Sequence, residues 1–84
     1  MTTFNAALTK EQGVTFVAVS VLDSVLNSNT EANNMITAMS LHFRCPAVLV
    51  GAQQHRIYGH RKDIVDFVAN NLPRLPWRQW TIAA

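Results

Sequence analysis

Four residues of the kinds that bind zinc follow one another in the middle of the chain. His42 and Cys45 are three positions apart, and His55 and His60 come later. Imidazole and thiolate are common ligands of tetrahedral zinc, and on a helix the first pair would share a face. Along a strand, however, His55 and His60 point to opposite faces and lie roughly 16 Å apart. The spacing does not favour a metal site, and we expect no metal and no cofactor.

Cys45 is the one cysteine of the chain. A thiolate can act as a nucleophile or exchange disulfides, but this chain has no second cysteine to resolve a mixed disulfide. A small buried cysteine is usually inert. Ser/His/Asp sets, glycine-rich phosphate loops and paired carboxylates do not stand out either. We therefore predict that the chain has no catalytic residues and is not an enzyme.

Positive charge is concentrated in the second half of the chain. A cluster of basic and aromatic residues lies there: Arg56, Tyr58, His60, Arg61 and Lys62. Positive charge suits phosphates and an aromatic ring suits base stacking. The formal net charge is only +2, and no known nucleic-acid-binding motif accompanies the cluster. Nucleic-acid binding is thus an alternative function that the sequence does not favour.

Two tryptophans flank an arginine near the C-terminal end: Trp77, Arg78 and Trp80. Aromatic residues and arginine are enriched at the centres of protein interfaces. The other interpretation is that this tail folds back over the core of its own chain. The sequence alone leaves both open.

The composition is typical of one folded domain. The chain has 84 residues, of which 49% are hydrophobic and 14% charged, far from the profile of a disordered protein. A single cysteine excludes an internal disulfide, and the N-terminus shows no secretory signal. The longest apolar run, near Phe16–Leu22, is too short to span a membrane. We expect a cytoplasmic protein that does not contact membranes.

The first half of the chain predicts a loose arm, a strand and a helix. Residues 1–12 are polar enough to be an arm, whereas Val14–Leu22 is rich in β-branched residues and apolar on both sides, as in a strand covered on both faces. A helix beginning at Thr9 is the rival interpretation, which Gly13 and the β-branched run disfavour. Ser28 and Glu31 have capping-box spacing and predict a helix that continues to about residue 43.

The second half predicts a hairpin, a helix and a final extended segment. Pro46 ends the first helix, residues 47–50 form a buried strand, and residues 56–58 pair with it antiparallel. A helix follows over about residues 61–72, and residues 76–82 form a last strand or an extended segment. The residues expected to be buried are Phe16, Val19, Val21, Ile36, Val48, Val50, Ile64, Phe67 and Val68.

Residues 43–50, FRCPAVLV, followed by residues 56–64, RIYGHRKDI, resemble the C-terminal half of glutaredoxin-like proteins in the thioredoxin superfamily. In that family a helix is followed by a proline that opens a strand, then by a hairpin, a glycine and a closing helix. The resemblance extends over roughly residues 14–72. It implies an α/β fold with a thioredoxin-like β-α-β-β-α core and a possible extra C-terminal strand.

The resemblance also implies a cis peptide bond between Cys45 and Pro46, because the family proline is typically cis and lies beside the active site. The redox motif of the family, Cys-x-x-Cys or Cys-x-x-Ser, has no counterpart here, since no cysteine precedes Cys45. Glutathione-binding relatives have a pair of acidic or hydroxyl-bearing residues near the position of His60 and Arg61. Neither residue type occurs there in this chain. The resemblance thus implies the fold without redox catalysis.

These observations favour a non-catalytic thioredoxin-like protein-interaction module, formed by one domain over residues 1–84, that self-associates. The strand at Val14–Leu22 is apolar on both faces, while the strand and helix that precede it in the family are missing. An open apolar strand invites pairing with a second copy, and Trp77 and Trp80 would supply the contact centre. Alternatively, the arm or the tail after Pro76 covers the gap within one chain.

Overall fold

A computed structural model describes residues 2–82, which form a five-stranded mixed sheet with helices on both faces. In chain order the elements are β1 (Thr2–Glu11), β2 (Val14–Val21), α1 (Asp23–Leu26), α2 (Asn29–Phe43), β3 (Ala47–Gly51), β4 (Ile57–Tyr58), α3 (Lys62–Asn71), a 3-10 turn (Leu72–Arg74) and β5 (Arg78–Ile82). The strand order across the sheet is β4-β3-β2-β1-β5. None of the helices within residues 2–82 has the length and apolar character needed to cross a membrane.

The N-terminal segment is a strand, so the prediction of a loose arm over residues 1–12 is wrong for the described residues. β1 forms an antiparallel hairpin with β2, and Ala6 and Ala7 have no exposed surface. Gln12 and Gly13 both have positive φ, 52° and 81°, as two-residue hairpin turns require. Small alanine side chains let β1 lie between two apolar layers although the segment looks polar in sequence.

β2 is central, as its composition predicts. It pairs antiparallel with β1 and parallel with β3, and α2 forms the crossover between the two parallel strands. Val17 and Val19 face one apolar cluster, and Phe16 and Ala18 face the other. The prediction that this strand is covered on both faces is confirmed.

The first long helix begins where the capping box predicts. The Ser28 hydroxyl accepts a hydrogen bond from the Glu31 backbone N–H at 3.3 Å. Arg44 ends the helix in a left-handed conformation with φ 57°, and the carbonyl of Pro46 then accepts a hydrogen bond from Val17 N–H at 3.0 Å. That bond fixes β3 beside β2. The short helix α1 was not predicted.

Two apolar clusters lie on opposite faces of the sheet. α2 covers one with Ala32, Ile36 and Met39, and α3 covers the other with Ile64 and Val68. All the residues expected to be buried are buried except one. Phe67 is half-buried and packs its ring edge-on against Phe16, at 5.9 Å between centroids.

The difference in burial between these two rings predicts different costs of truncation. Phe16 is 2% exposed; Phe16→Ala should lower the free energy of unfolding by about 3–5 kcal/mol. Phe67→Ala should cost about 2 kcal/mol, because part of its apolar surface already contacts water. Urea denaturation followed by tryptophan fluorescence measures both. Equal costs would contradict the placement of Phe67.

Candidate functional site

Trp80 holds the C-terminal strand onto the sheet. It is half-buried on the face that α2 covers, and its indole Nε1–H donates to the carbonyl of Ala6 at 3.1 Å. Its ring lies edge-on to Phe43 at 5.0 Å between centroids, and the Arg78 guanidinium lies 5.6 Å from the ring centre. This half-buried aromatic ring, with its N–H hydrogen-bonded, anchors β5 to β1.

Trp77 packs against the opposite apolar cluster, and its Nε1–H donates to the carbonyl of Leu72 at 2.9 Å. The two tryptophans thus lie on opposite faces and do not form one exposed contact centre. The premise of an uncovered strand at Val14–Leu22 is also wrong, because β1 pairs with its open edge. Both the arm and the tail fold back within one chain.

The open edge of the sheet is therefore β5 rather than the strand at Val14–Leu22. Within residues 2–82, β5 has a strand neighbour on one side only. Its five residues pair with Thr2–Ala6. The opposite edge strand, β4, has only two residues. Natural edge strands avoid pairing with other chains because they are short, contain proline or bulges, or carry charged side chains. Of these features, β5 has only the charge of Arg78 at its first position.

The residues of β5 alternate between the two faces. Trp80 and Ile82 pack on the side of α2, whereas Gln79 and Thr81 are exposed on the side of α3. The Thr81 hydroxyl lies 3.3 Å from that of Thr3 on β1. β5 thus offers an outer row of backbone groups, flanked by a polar strip on one face and by aromatic and aliphatic side chains on the other.

The basic cluster is partly used inside the chain. The Arg56 guanidinium donates to the Asp23 carbonyl at 3.0 Å and to Asn27 Oδ1 at 2.9 Å, which ties α1 to the turn before β4. Arg61 pairs with Asp63 at 2.7 Å. This hydrogen-bonded ion pair holds the pKa of the Asp63 carboxyl below its usual range. Lys62 is exposed at the start of α3.

Tyr58 and His60 converge on one amide of α2. The Tyr58 hydroxyl donates to Asn33 Oδ1 at 3.0 Å, and His60 Nε2 lies 2.9 Å from the same oxygen. The Tyr58 ring packs against the cluster under α2 and is half-buried. This arrangement fastens β4 to α2, and it leaves less of the tyrosine ring open for base stacking.

The Cys45–Pro46 bond is trans, so the cis bond that the resemblance implies is wrong. Cys45 is half-buried beside the cluster under α2. Burial raises the pKa of its thiol, which lowers the fraction of nucleophilic thiolate at neutral pH. The environment of Cys45 thus opposes the reactivity that redox chemistry needs.

The histidines of the zinc-like series lie apart. His42 packs against Phe43 at the end of α2, His60 contacts Asn33, and His55 lies in the turn between β3 and β4. Among residues 2–82, no three potential metal ligands come together.

A cavity of about 590 Å³ opens where the parallel strands β2 and β3 end. Its polar lining includes Asn5, Ser20 and His55, none of which the sequence patterns single out. Asn5 and Ser20 are isolated polar residues within strands, and only the fold brings them beside a turn that lies more than thirty positions away. Trp77, by contrast, was a candidate for contact with a partner protein and proves to line this cavity.

Residues 2–82 thus form a small α/β sheet protein with an exposed edge strand, β5, and a cavity at the ends of β2 and β3. No protein-family model matches the chain, and neither a curated protein nor a solved structure shows significant similarity to it.

The raised pKa of Cys45 predicts slow reaction with thiol reagents. The rate of carbamidomethylation by iodoacetamide should rise with pH along a curve whose midpoint lies above that of a free cysteine thiol. Cys45→Ala should leave the fold unchanged. A midpoint below that of free cysteine would contradict an inert thiol.

Proposed function

We propose that the chain is a non-catalytic protein-interaction module that joins a second copy of itself along the outer edge of β5. The observation that carries this proposal is the unequal protection of the two sheet edges. β4 is too short to template another strand, whereas β5 presents five residues in extended conformation. Unpaired backbone groups in such an edge gain hydrogen bonds when a second strand aligns with them.

The sequence of β5 suits pairing with itself. In a two-fold antiparallel arrangement centred on Trp80, the Trp80 residues of the two copies face each other across the axis. Gln79 of one copy then lies opposite Thr81 of the other, a polar pair on the exposed face. Aromatic and polar cross-strand pairs of this kind stabilise antiparallel sheets. A two-fold dimer would thus continue the sheet across the axis.

The expected affinity is modest. Stable protein interfaces bury about 1,600 Å² in total, and pairing along one five-residue edge buries less. A dissociation constant in the micromolar range is the corresponding expectation. Self-association would then depend on protein concentration.

The thioredoxin-like relationship remains part of the proposal. It is supported by the order of α2, the strand that follows Pro46, the hairpin, Gly59 and α3. A β-carbon on Gly59 would lie 2.6 Å from Val48 Cγ1, so this glycine allows the chain after β4 to pass close to β3. The missing redox motif and the inert environment of Cys45 support the non-catalytic assignment, and the single cysteine suits the reducing cytoplasm.

Nucleic-acid binding by the basic cluster has less support. The Arg61 charge is paired with Asp63, and the Arg56 guanidinium is held by oxygens of the chain itself. If the cluster does not bind nucleic acid, the chain should elute from heparin at low salt. Replacing Arg56, Arg61 and Lys62 together should leave that elution unchanged. Steeply salt-dependent binding lost in that triple variant would favour the alternative.

Charge substitutions at the proposed axis test the dimer. Gln79→Lys combined with Thr81→Lys places like charges opposite each other between copies and should weaken association at least tenfold. Gln79→Lys combined with Thr81→Glu is the matched control, because it changes the same exposed positions but brings opposite charges together. It should retain or strengthen association. Sedimentation equilibrium across a micromolar concentration series measures both variants. A wild-type chain that stays monomeric at high micromolar concentration would refute the proposal.

Hydrogen exchange tests where the copies meet. In one chain, alternate amides of β5 bond to β1 and the others face outward, so the outward amides should exchange quickly in dilute solution. At concentrations where the dimer forms, the same amides should become protected, while the amides of the Ala52–Gln54 turn stay unchanged. Association without added protection in β5 would place the interface elsewhere.

A further inference from the structure

The cavity lies where an open α/β sheet can accommodate a ligand. β2 and β3 are parallel, and their carboxyl ends lie next to each other at Val21 and Gly51. The chain leaves β2 toward α2 on one face, and after β3 and β4 it continues into α3 on the other. β4 runs antiparallel to β3, so α3 begins at the other end of the sheet and its last turn returns to these strand ends. Crevices outside the carboxyl ends of strands in open α/β sheets are common ligand sites. A volume of about 590 Å³ is also within the range of small-molecule pockets.

The wall of the cavity is apolar on the side of α3. The residues that line it on that side are Ala69, Leu72, Pro73 and Trp77, and Val50 of β3 lies beneath them. The Trp77 Nε1–H is already bound by the Leu72 carbonyl, so the indole offers only hydrocarbon surface to the space. Such a wall suits a flat, apolar molecule, because aromatic rings stack favourably on one another.

Polar groups gather at the strand end of the cavity. Asn5, Ser20 and His55 line it there, and their side chains make no hydrogen bonds with other residues in the range 2–82. An amide NH₂, a hydroxyl and an imidazole N–H can each donate a hydrogen bond. An oxygen acceptor on the ligand would satisfy this end of the cavity.

His55 is held in an unfavourable backbone conformation at the cavity rim. Its φ is 56°, in the left-handed region that glycine adopts more readily. Its N–H donates to the Gly51 carbonyl at 3.0 Å, and Gly51 N–H donates to the Arg56 carbonyl at 2.8 Å, so the turn fixes this geometry. A strained side-chain-bearing residue beside a cavity is a feature of binding sites.

We propose that this cavity binds a small planar aromatic molecule that carries one carbonyl or carboxylate oxygen. The aromatic part lies against Trp77 and Leu72, and the oxygen accepts hydrogen bonds from Asn5, Ser20 or His55. This site is separate from the outer edge of β5, and binding does not depend on self-association.

Three related compounds serve as probes: 2-naphthamide, 2-naphthoate and naphthalene. They share the ring system, and only the first two carry the oxygen. Binding is followed by ¹H–¹⁵N spectra of the full chain, in which the Trp77 indole and the amides of Ser20, Gly51 and His55 should shift together. In the Trp80→Phe variant, Trp77 is the sole tryptophan, and its fluorescence should change along the same titration curve.

Substitutions separate the two halves of the site. Ala69→Trp fills the apolar side and should weaken all three probes at least tenfold, whereas Ala38→Trp on the exposed face of α2 is the matched control and should not. Asn5→Ala and Ser20→Ala should each weaken 2-naphthamide by about 3- to 10-fold and leave naphthalene unchanged. His55→Gly removes the imidazole but suits the positive φ, so the turn stays intact.

Each outcome decides the proposal. The proposal is supported if the signals around the cavity shift together and if Ala69→Trp weakens binding of the probes. It is also supported if Asn5→Ala or Ser20→Ala weakens binding of the oxygen-bearing probes alone. No binding of any probe at millimolar concentration would overturn it, as would binding that Ala69→Trp leaves unchanged. Thermal unfolding of each variant shows whether it is folded, and the 2-naphthoate data show whether a negative charge on the oxygen adds to affinity.

Discussion

β2 is apolar on both faces, and the fold follows from the need to keep water away from it. Phe16 to Val19 are buried without exception, which requires a helix on each face and a strand along each edge. α2 and α3 cover the faces, while β1 and β3 occupy the edges. The crossover through α2 makes β3 parallel to β2, and the turn at Gln12 and Gly13 makes β1 antiparallel. The mixed character of the sheet thus results from two different ways of covering one strand.

Covering β2 creates a second requirement at β1. β2 pairs with one edge of β1 over Ala6–Glu11, and the opposite edge needs its own neighbour, which is β5 over Thr2–Ala6. Trp80 secures this contact by packing against Phe43 and donating to the Ala6 carbonyl. The pairing of β1 with β2 runs no further than Ala6 and Val19, and Asn5 and Ser20, the next residue of each strand, line the cavity. The exposed edge strand and the cavity therefore both adjoin the first half of β1.

The central elements are predictable from the sequence because each has a local physical cause. The β-branched run marks β2, Ser28 and Glu31 form the cap of α2, and Pro46 separates α2 from β3. β1 is not predictable in this way, since its burial depends on two alanines whose small size matters only when the sheet is assembled. The roles of Arg56, Tyr58 and His60 depend on partners in α1 and α2 at distant positions. Asn5, Ser20 and His55 likewise come together only through tertiary contacts, which no local pattern records.

The pairing of Thr2 with Ile82 joins segments that are almost the whole described chain apart. Closing such a long loop is entropically costly and slow, so β5 is expected to dock late in folding, after the hairpin and the parallel pair have formed. β5 pairs with the sheet through β1 alone, and edge strands of this kind open from the native state more readily than central ones. Trp77 immediately precedes it. A transient opening at this end would thus enlarge the mouth of the cavity and withdraw the sheet edge at the same moment.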